Sequence, residues 1–199
     1  MLDHLVLATP DLAGTVADFA DRAGVTPVAG GSHTGLGTAN ALVGLGPDSY
    51  LEIVGPDPDQ PTPDTARPFG IDELDGPRVV TWAVHPEDVD ATIERARRHG
   101  YDPGDAVPMS RRTPAGEQLT WRLTPSRGLV PFLIDWGATP HPASRALPTV
   151  ELTTLALLHP DPAAVQASLD ALQVLLLVEQ GPDPVVVVVL GTPRGTLVL

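Results

Sequence analysis

Three stretches of the chain repeat one pattern, and that pattern limits the fold more than any other feature. They are "LDHLVLATPDLAGTVADFADRAG", "PRVVTWAVHPEDVDATIERARRHG" and "VELTTLALLHPDPAAVQASLDALQ". Each is an apolar strand-like run, then a proline and an acid, then an amphipathic helix pattern. The pairs Pro10–Asp11, Pro86–Glu87 and Pro160–Asp161 stand 76 and 74 residues apart. A period that long, with a strand, a helix and further strands in each copy, indicates duplicated supersecondary modules. Paired sheets of this kind create a concave surface, and function is sought there.

The first module spans residues 1–55. A strand near 2–8 leads to a helix with Leu12, Val16, Phe19 and Ala23 at helical spacing, and Gly24 suits its stop. Three short strands follow between Gly-rich turns, giving β-α-β-β-β. Residues 56–77 form a Pro- and Asp-rich connector with a turn of helix at "IDEL". The second module, 78–137, has a helix with Val89, Ile93 and Ala96 on one face, then strands near 106–112, 117–124 and 130–136. After a linker at 137–148, a third unit repeats the scheme, with strands near 149–158, 174–179, 184–190 and 195–199. The predicted class is α+β. Residues 1–146 are read as one domain, and 147–199 as a C-terminal unit packed on it. The polyvaline run in "PVVVVVLG" calls for a buried or paired strand.

Composition narrows the partners. The formal charge of −13 argues against nucleic acid, which needs a basic face. With no cysteine, thiolate metal sites, iron–sulfur ligation and thiol nucleophiles are excluded. No apolar run approaches the ~20 residues of a membrane span. The N-terminus has no basic segment before its apolar run, so a signal peptide is not expected and a cytoplasmic setting is. "GGSHTGLGT" lacks the lysine of a phosphate-binding loop and precedes a strand, so no nucleotide is expected.

Two ionisable residues interrupt apolar strands: His4 in the first and Glu52 in the fourth. Burying either costs several kcal/mol unless it is paired or metal-bound. His33 and Asn40 flank the Gly-rich loop, which is read as a flexible cover over the cleft. Arg111 and Arg122 are candidates to clamp a substrate carboxylate, and Trp82 and Trp121 to line the pocket. His85, His141 and His159 lie beside prolines and receive no role.

The phrases "LDHLVLATPDL", "GGSHTGLGTANALVGLG", "YLEIVGPDP", "RVVTWAVHPEDVD" and "LVPFLIDWG" resemble the glyoxalase-like subgroup of the vicinal oxygen chelate superfamily. That superfamily includes glyoxalase I, extradiol dioxygenases and the fosfomycin and bleomycin resistance proteins. The resemblance covers residues 2–146 and implies paired modules with a divalent metal (Zn, Mn, Fe or Ni) between them. Carried over, it makes His4, Glu52 and Asp135 the metal ligands, with Val80 at the fourth position. It implies a metal-assisted lyase, isomerase or dioxygenase acting on a small oxygen-rich metabolite, with Glu52 and His33 as catalytic groups. The alternative is a metal-free small-molecule binding protein. No flavin or haem is expected, and a homodimer is allowed for.

Overall fold

The computed structural model describes residues 1–199. The first copy of the repeat gives β1 (Leu2–Ala8), α1 (Leu12–Ala23), β2 (Val28–His33), β3 (Thr38–Gly44) and β4 (Tyr50–Pro56). The second gives β5 (Arg78–Val84), α2 (Val89–Arg98), β6 (Val107–Arg112), β7 (Gln118–Leu123) and β8 (Phe132–Asp135). The third gives β9 (Glu151–His159), α3 (Pro162–Leu172), β10 (Val178–Gln180), β11 (Val185–Thr192) and β12 (Gly195–Val198).

The repeated acid has a physical role. Asp11, Asp88 and Asp161 each accept a hydrogen bond from a backbone N–H of the first helical turn, the usual N-cap arrangement. In the second copy the cap is Asp88, so α2 starts after the Pro86–Glu87 pair and not within it. Gly24 ends α1 at φ 70°, a left-handed conformation that glycine adopts without strain.

The eight strands of the first two modules close into one barrel of order β1-β4-β3-β2-β6-β7-β8-β5. Two antiparallel seams join the modules. The β1·β5 seam is long, from Leu2–Val84 to Ala8–Arg78. The β2·β6 seam is a single pair, Ser32–Arg112. Gly31 lies beside that seam, where an added Cβ would meet the Arg112 carbonyl oxygen at 2.0 Å. Only glycine lets the two backbones come this close.

The third unit repeats the element order but not the strand order. Its sheet is open, β10-β9-β11-β12, with β9 inside it and β10 parallel to β9. Its polyvaline strand is paired on both sides, as expected. Residues 174–177, expected to be strand, are not, and Leu175 and Leu177 are exposed there.

Strand alternation splits the core in two. Val6, Leu42, Leu119, Phe132, Ile134 and Trp136 belong to one cluster, which fills the barrel. Leu5, Leu7, Trp82 and Leu133 belong to the other, with α1, α2, α3 and the third sheet. No helix is long and apolar enough to cross a membrane.

Candidate functional site

Small barrels fill their interior with side chains, leaving room at most for one small ligand. Here the filling is incomplete at one end. A cavity of about 430 Å³ is lined by His4, His33, Asn40, Tyr50, Glu52 and Arg111 among its polar residues. Trp121, Trp136, Phe132, Phe69 and Met109 supply apolar wall.

Glu52 is the centre of the polar half. It stands on β4 beside β1, and alternation turns it inward with Tyr50 and Val54. Its Oε2 lies 3.7 Å from His4 Nε2 and its Oε1 lies 3.8 Å from His33 Nε2. Asn40 Nδ2 donates to Glu52 Oε1 at 2.5 Å, and Arg111 Nη1 donates to Asn40 Oδ1 at 3.3 Å. Gly30 makes this arrangement possible: a Cβ there would meet Asn40 Oδ1 at 2.3 Å and Arg111 Nη1 at 2.6 Å.

Behind His4 is Asp3, a carboxylate only 1% exposed. Alternation alone would send Asp3 and His4 to opposite faces. The β1·β5 ladder shifts register between Leu2 and His4, so the regular alternation does not hold at Asp3. Asp3 Oδ1 lies 2.6 Å from His4 Nδ1. Its Oδ2 accepts from Trp136 Nε1 at 3.0 Å and pairs with His141 Nε2 at 3.1 Å. His85 Nδ1 lies 3.7 Å from the same oxygen. Burial works to raise the Asp3 pKa, but the hydrogen bonds from His141 and His4 outweigh it and hold the carboxyl far below its usual range. With Nδ1 facing this anion, His4 directs Nε2 at Glu52. The ring also stacks on Tyr50, with centroids 4.8 Å apart.

His33 is the end residue of β2 and is buried; it does not belong to a flexible cover. Burial lowers its pKa, and Arg111 lowers it further, against the opposing pull of Glu52 and Asp57. Its imidazole is therefore neutral near pH 7. The unfolded chain binds a proton at this histidine more readily than the folded one. Stability should therefore fall as pH drops through the unfolded value of about 6.5. It should keep falling until folded His33 is protonated. Melting temperatures of the wild type and His33→Gln between pH 7.5 and 5 check this, and the wild type should lose more.

Three expected site residues are elsewhere. Asp135 faces out of the barrel, because Phe132, Ile134 and Trp136 hold the inward positions of that segment. It is bound to Arg122, whose Nη2 donates to Asp135 Oδ2 at 2.8 Å. That bond lowers the Asp135 pKa. Arg122 is itself a surface residue, clamped between Asp135 and Asp90, so it holds no substrate in the cavity. Trp82 points to the outer core and donates to the Leu129 carbonyl at 2.7 Å. Opposite His4 the β5 ladder places Ala83, a residue with no ligand atom.

Asp3, Tyr50, Trp136 and His141 were not anticipated at the site. Neither was the connector. Ala66, Pro68 and Phe69 from it wall the cavity, and Phe69 takes φ 63° inside a 3-10 segment, Pro68–Glu73. A left-handed aromatic residue carries strain of about 1–2 kcal/mol, which the burial of Ile71 two residues on helps to offset.

The family resemblance implies a divalent metal, and the residues do not fit one. Of His4, Glu52 and Asp135, only the first two face the cavity. No group of three or more His, Cys, Asp or Glu side chains is arranged to hold a metal ion. The two imidazoles approach different oxygens of Glu52, and Asn40 already occupies one of those oxygens. A buried guanidinium, Arg111, adds positive charge to the same cavity.

Known proteins share the fold. A hypothetical protein from Staphylococcus aureus superposes with a TM-score of 0.68 at 14% identity, over 99% of this chain and 83% of that one. A mutant of 4-hydroxymandelate synthase from Streptomyces coelicolor gives 0.52 at 16% identity, over 99% of this chain and 62% of that one. Methylmalonyl-CoA epimerase from Mycobacterium tuberculosis gives 0.44 at 19% identity, over 68% and 87%, and that likeness carries no argument. No curated protein sequence matches the chain. The family model described as "Glyoxalase-like domain" matches residues 2–173. With its paired βαβββ modules closing one barrel around His4 and Glu52, the chain belongs to the glyoxalase-like domain family.

Proposed function

We propose that the protein is an enzyme that moves a proton on a small oxygen-rich metabolite, with Glu52 as the base. One observation carries this reading: a buried carboxylate faces the barrel cavity with an imidazole nitrogen within 4 Å of each of its oxygens. Glu52 would take a proton from a carbon next to a carbonyl, becoming a carboxylic acid and leaving an enolate. His4 would receive or return that proton at Nε2. Asp3 would stabilise the imidazolium formed, as the buried acid of a catalytic triad does. Isomerases, epimerases and lyases all use this step. No step is routed through a metal.

The test needs no knowledge of the product. The protein is incubated in D₂O with a panel of small 2-oxo and 3-oxo acids, and loss of the C–H signal is followed by proton NMR. At least one member should exchange faster than in buffer. Glu52→Gln should slow that exchange by at least about 10², the low end for general acid–base catalysis. Exchange unaffected by Glu52→Gln would overturn the assignment.

A second reading, a metal-free binding protein, is favoured by the lack of a converging donor set. A panel member that binds tightly without exchange would support it. Both readings take a small molecule as the partner, and the charge of −13 speaks against nucleic acid.

A further inference from the structure

Arg111 is the only buried arginine, at 4% exposure. It has no carboxylate within salt-bridge distance, and other arginines without one, such as Arg112 and Arg127, are exposed to water. Its one protein hydrogen bond, through Nη1, goes to Asn40. A guanidinium carries five N–H donors, so most of its capacity is left for the cavity. Leaving a charge buried and unpaired is costly, and in a chain of net charge −13 an acidic partner would be easy to supply. None is supplied.

A second observation is independent of the first. Trp121 Nε1 is fully buried and has no hydrogen-bond partner, although Trp121 is only 8% exposed and lines the same cavity. Buried indole N–H groups normally find an acceptor. Arg111 and Trp121 stand on adjacent strands, separated by one register step, since Arg111 pairs with Leu119 and Met109 pairs with Trp121. Arg111 is therefore the donor this hairpin leaves open to the cavity, and Trp121 forms part of the wall. The surrounding wall is aromatic: the Trp121 and Trp136 rings lie 5.2 Å apart, with Phe132 and Phe69 beside them. Such a wall favours a flat apolar body over a hydrated one.

We propose that the cavity binds a small arylcarboxylate or similarly flat carboxylate, its anionic group held by Arg111 and its body against the aromatic wall that Trp121 helps to form. This deepens the proton-transfer reading by naming the substrate class of the same site. In that reading, the carboxylate anchors the molecule while Glu52 faces the reacting carbon.

The test reads binding without turnover. Intrinsic tryptophan fluorescence and calorimetry are followed while the full chain is titrated at pH 7.5 with phenylacetate, its neutral amide, and inorganic phosphate. Phenylacetate should bind saturably, and the amide and phosphate should each bind at least tenfold more weakly. Arg111→Gln should weaken phenylacetate by about ten- to a hundredfold, the worth of a charge-assisted hydrogen bond, and leave the amide unchanged. Arg111→Lys keeps the charge without the fork, so it should fall between the two. Thermal melts confirm that each variant is folded. If Arg111→Gln does not fold, the ligand comparison on the wild type decides alone. Equal binding of acid and amide, or phosphate matching phenylacetate, overturns the proposal. Carboxylate binding with no proton exchange on any carboxylate overturns the proton-transfer reading alone.

Discussion

Deleting residues 148–199 should leave an insoluble protein or a molten one that binds the dye ANS. The reason is a shared core. Of the 27 residues in the larger cluster, ten come from the third unit: Val150, Leu157, Val165, Leu169, Ala171, Leu172, Val186, Val188, Leu190 and Leu197. They cover Phe19 of α1, Ile93 of α2, and Trp82 and Leu133 on the outer face of the barrel, members of the same cluster. Burying one such side chain contributes roughly 1.5–3 kcal/mol, so ten correspond to about 15–30 kcal/mol before chain entropy is counted. Domains are stable by only about 5–15 kcal/mol. The barrel should therefore not tolerate losing this cover, and the apolar surface left behind would drive aggregation. We propose on this basis that residues 1–146 and 147–199 fold as one unit. Size-exclusion chromatography and a thermal melt of the truncated chain check it. A soluble monomer melting at the full-length temperature would make the third unit an appendage.

The repeat was legible in the sequence because its signals are local. A capping acid and a helical apolar stripe act within a few residues, and each of the three copies forms its helix. Even so, α2 is capped by Asp88, one residue beyond the repeated pair, and α3 ends on Gln173 without a glycine. His4 and Glu52 were legible for a similar reason: each is a charge in an apolar strand, and the fold brings them within 3.7 Å. Asp135 is implied as a ligand by the family resemblance of its segment, which does not fix the face on which its side chain lies. A strand flips its side chains at each residue, so an error of one moves a ligand to the other face. Ile134 takes the inward place, and Asp135 goes to Arg122. Trp82 failed for a related cause: β5 carries a register shift against β1, and bulges leave no mark in composition.

Other features depend on tertiary placement. Arg111 and Arg112 are neighbours of one type, yet only Arg111 is buried. Which of the two enters the barrel is set by the β6·β7 register. The connector reads as a spacer because proline and aspartate dominate it. Its few apolar residues, Phe69 and Ile71, nevertheless reach the barrel. His141 lies in a linker 138 residues from Asp3 in sequence, and no local pattern announces their bond.

Asp3 is the residue whose loss should cost the barrel most. Asp3→Ala should destabilise the protein by about 3–5 kcal/mol, the cost of breaking a buried charged pair. Roughly 10 °C of melting temperature would go with it. The carboxylate collects His4 Nδ1, Trp136 Nε1 and His141 Nε2 at 2.6–3.1 Å, and His85 approaches it at 3.7 Å. Removing it leaves the buried His4 and Trp136 donors without their acceptor, and an unsatisfied buried donor costs more than its hydrogen bond contributes. Asp3→Asn should cost less, since its amide oxygen still accepts from one donor. Acid titration separates the charge from the shape. The folded carboxyl is held far below the unfolded value of 3.8, so its contribution is complete above that value and is lost as pH falls further. The stability gap between wild type and Asp3→Asn should therefore narrow as pH falls from about 4 to 2. His4, His85 and His141 all face Asp3, so their imidazole NMR signals should move together in Asp3→Asn. A gap that does not narrow in acid would mean that Asp3 matters for its shape and not for its charge. His4 would then lack the anion needed to stabilise its protonated ring, and the proton route from Glu52 would end at His4.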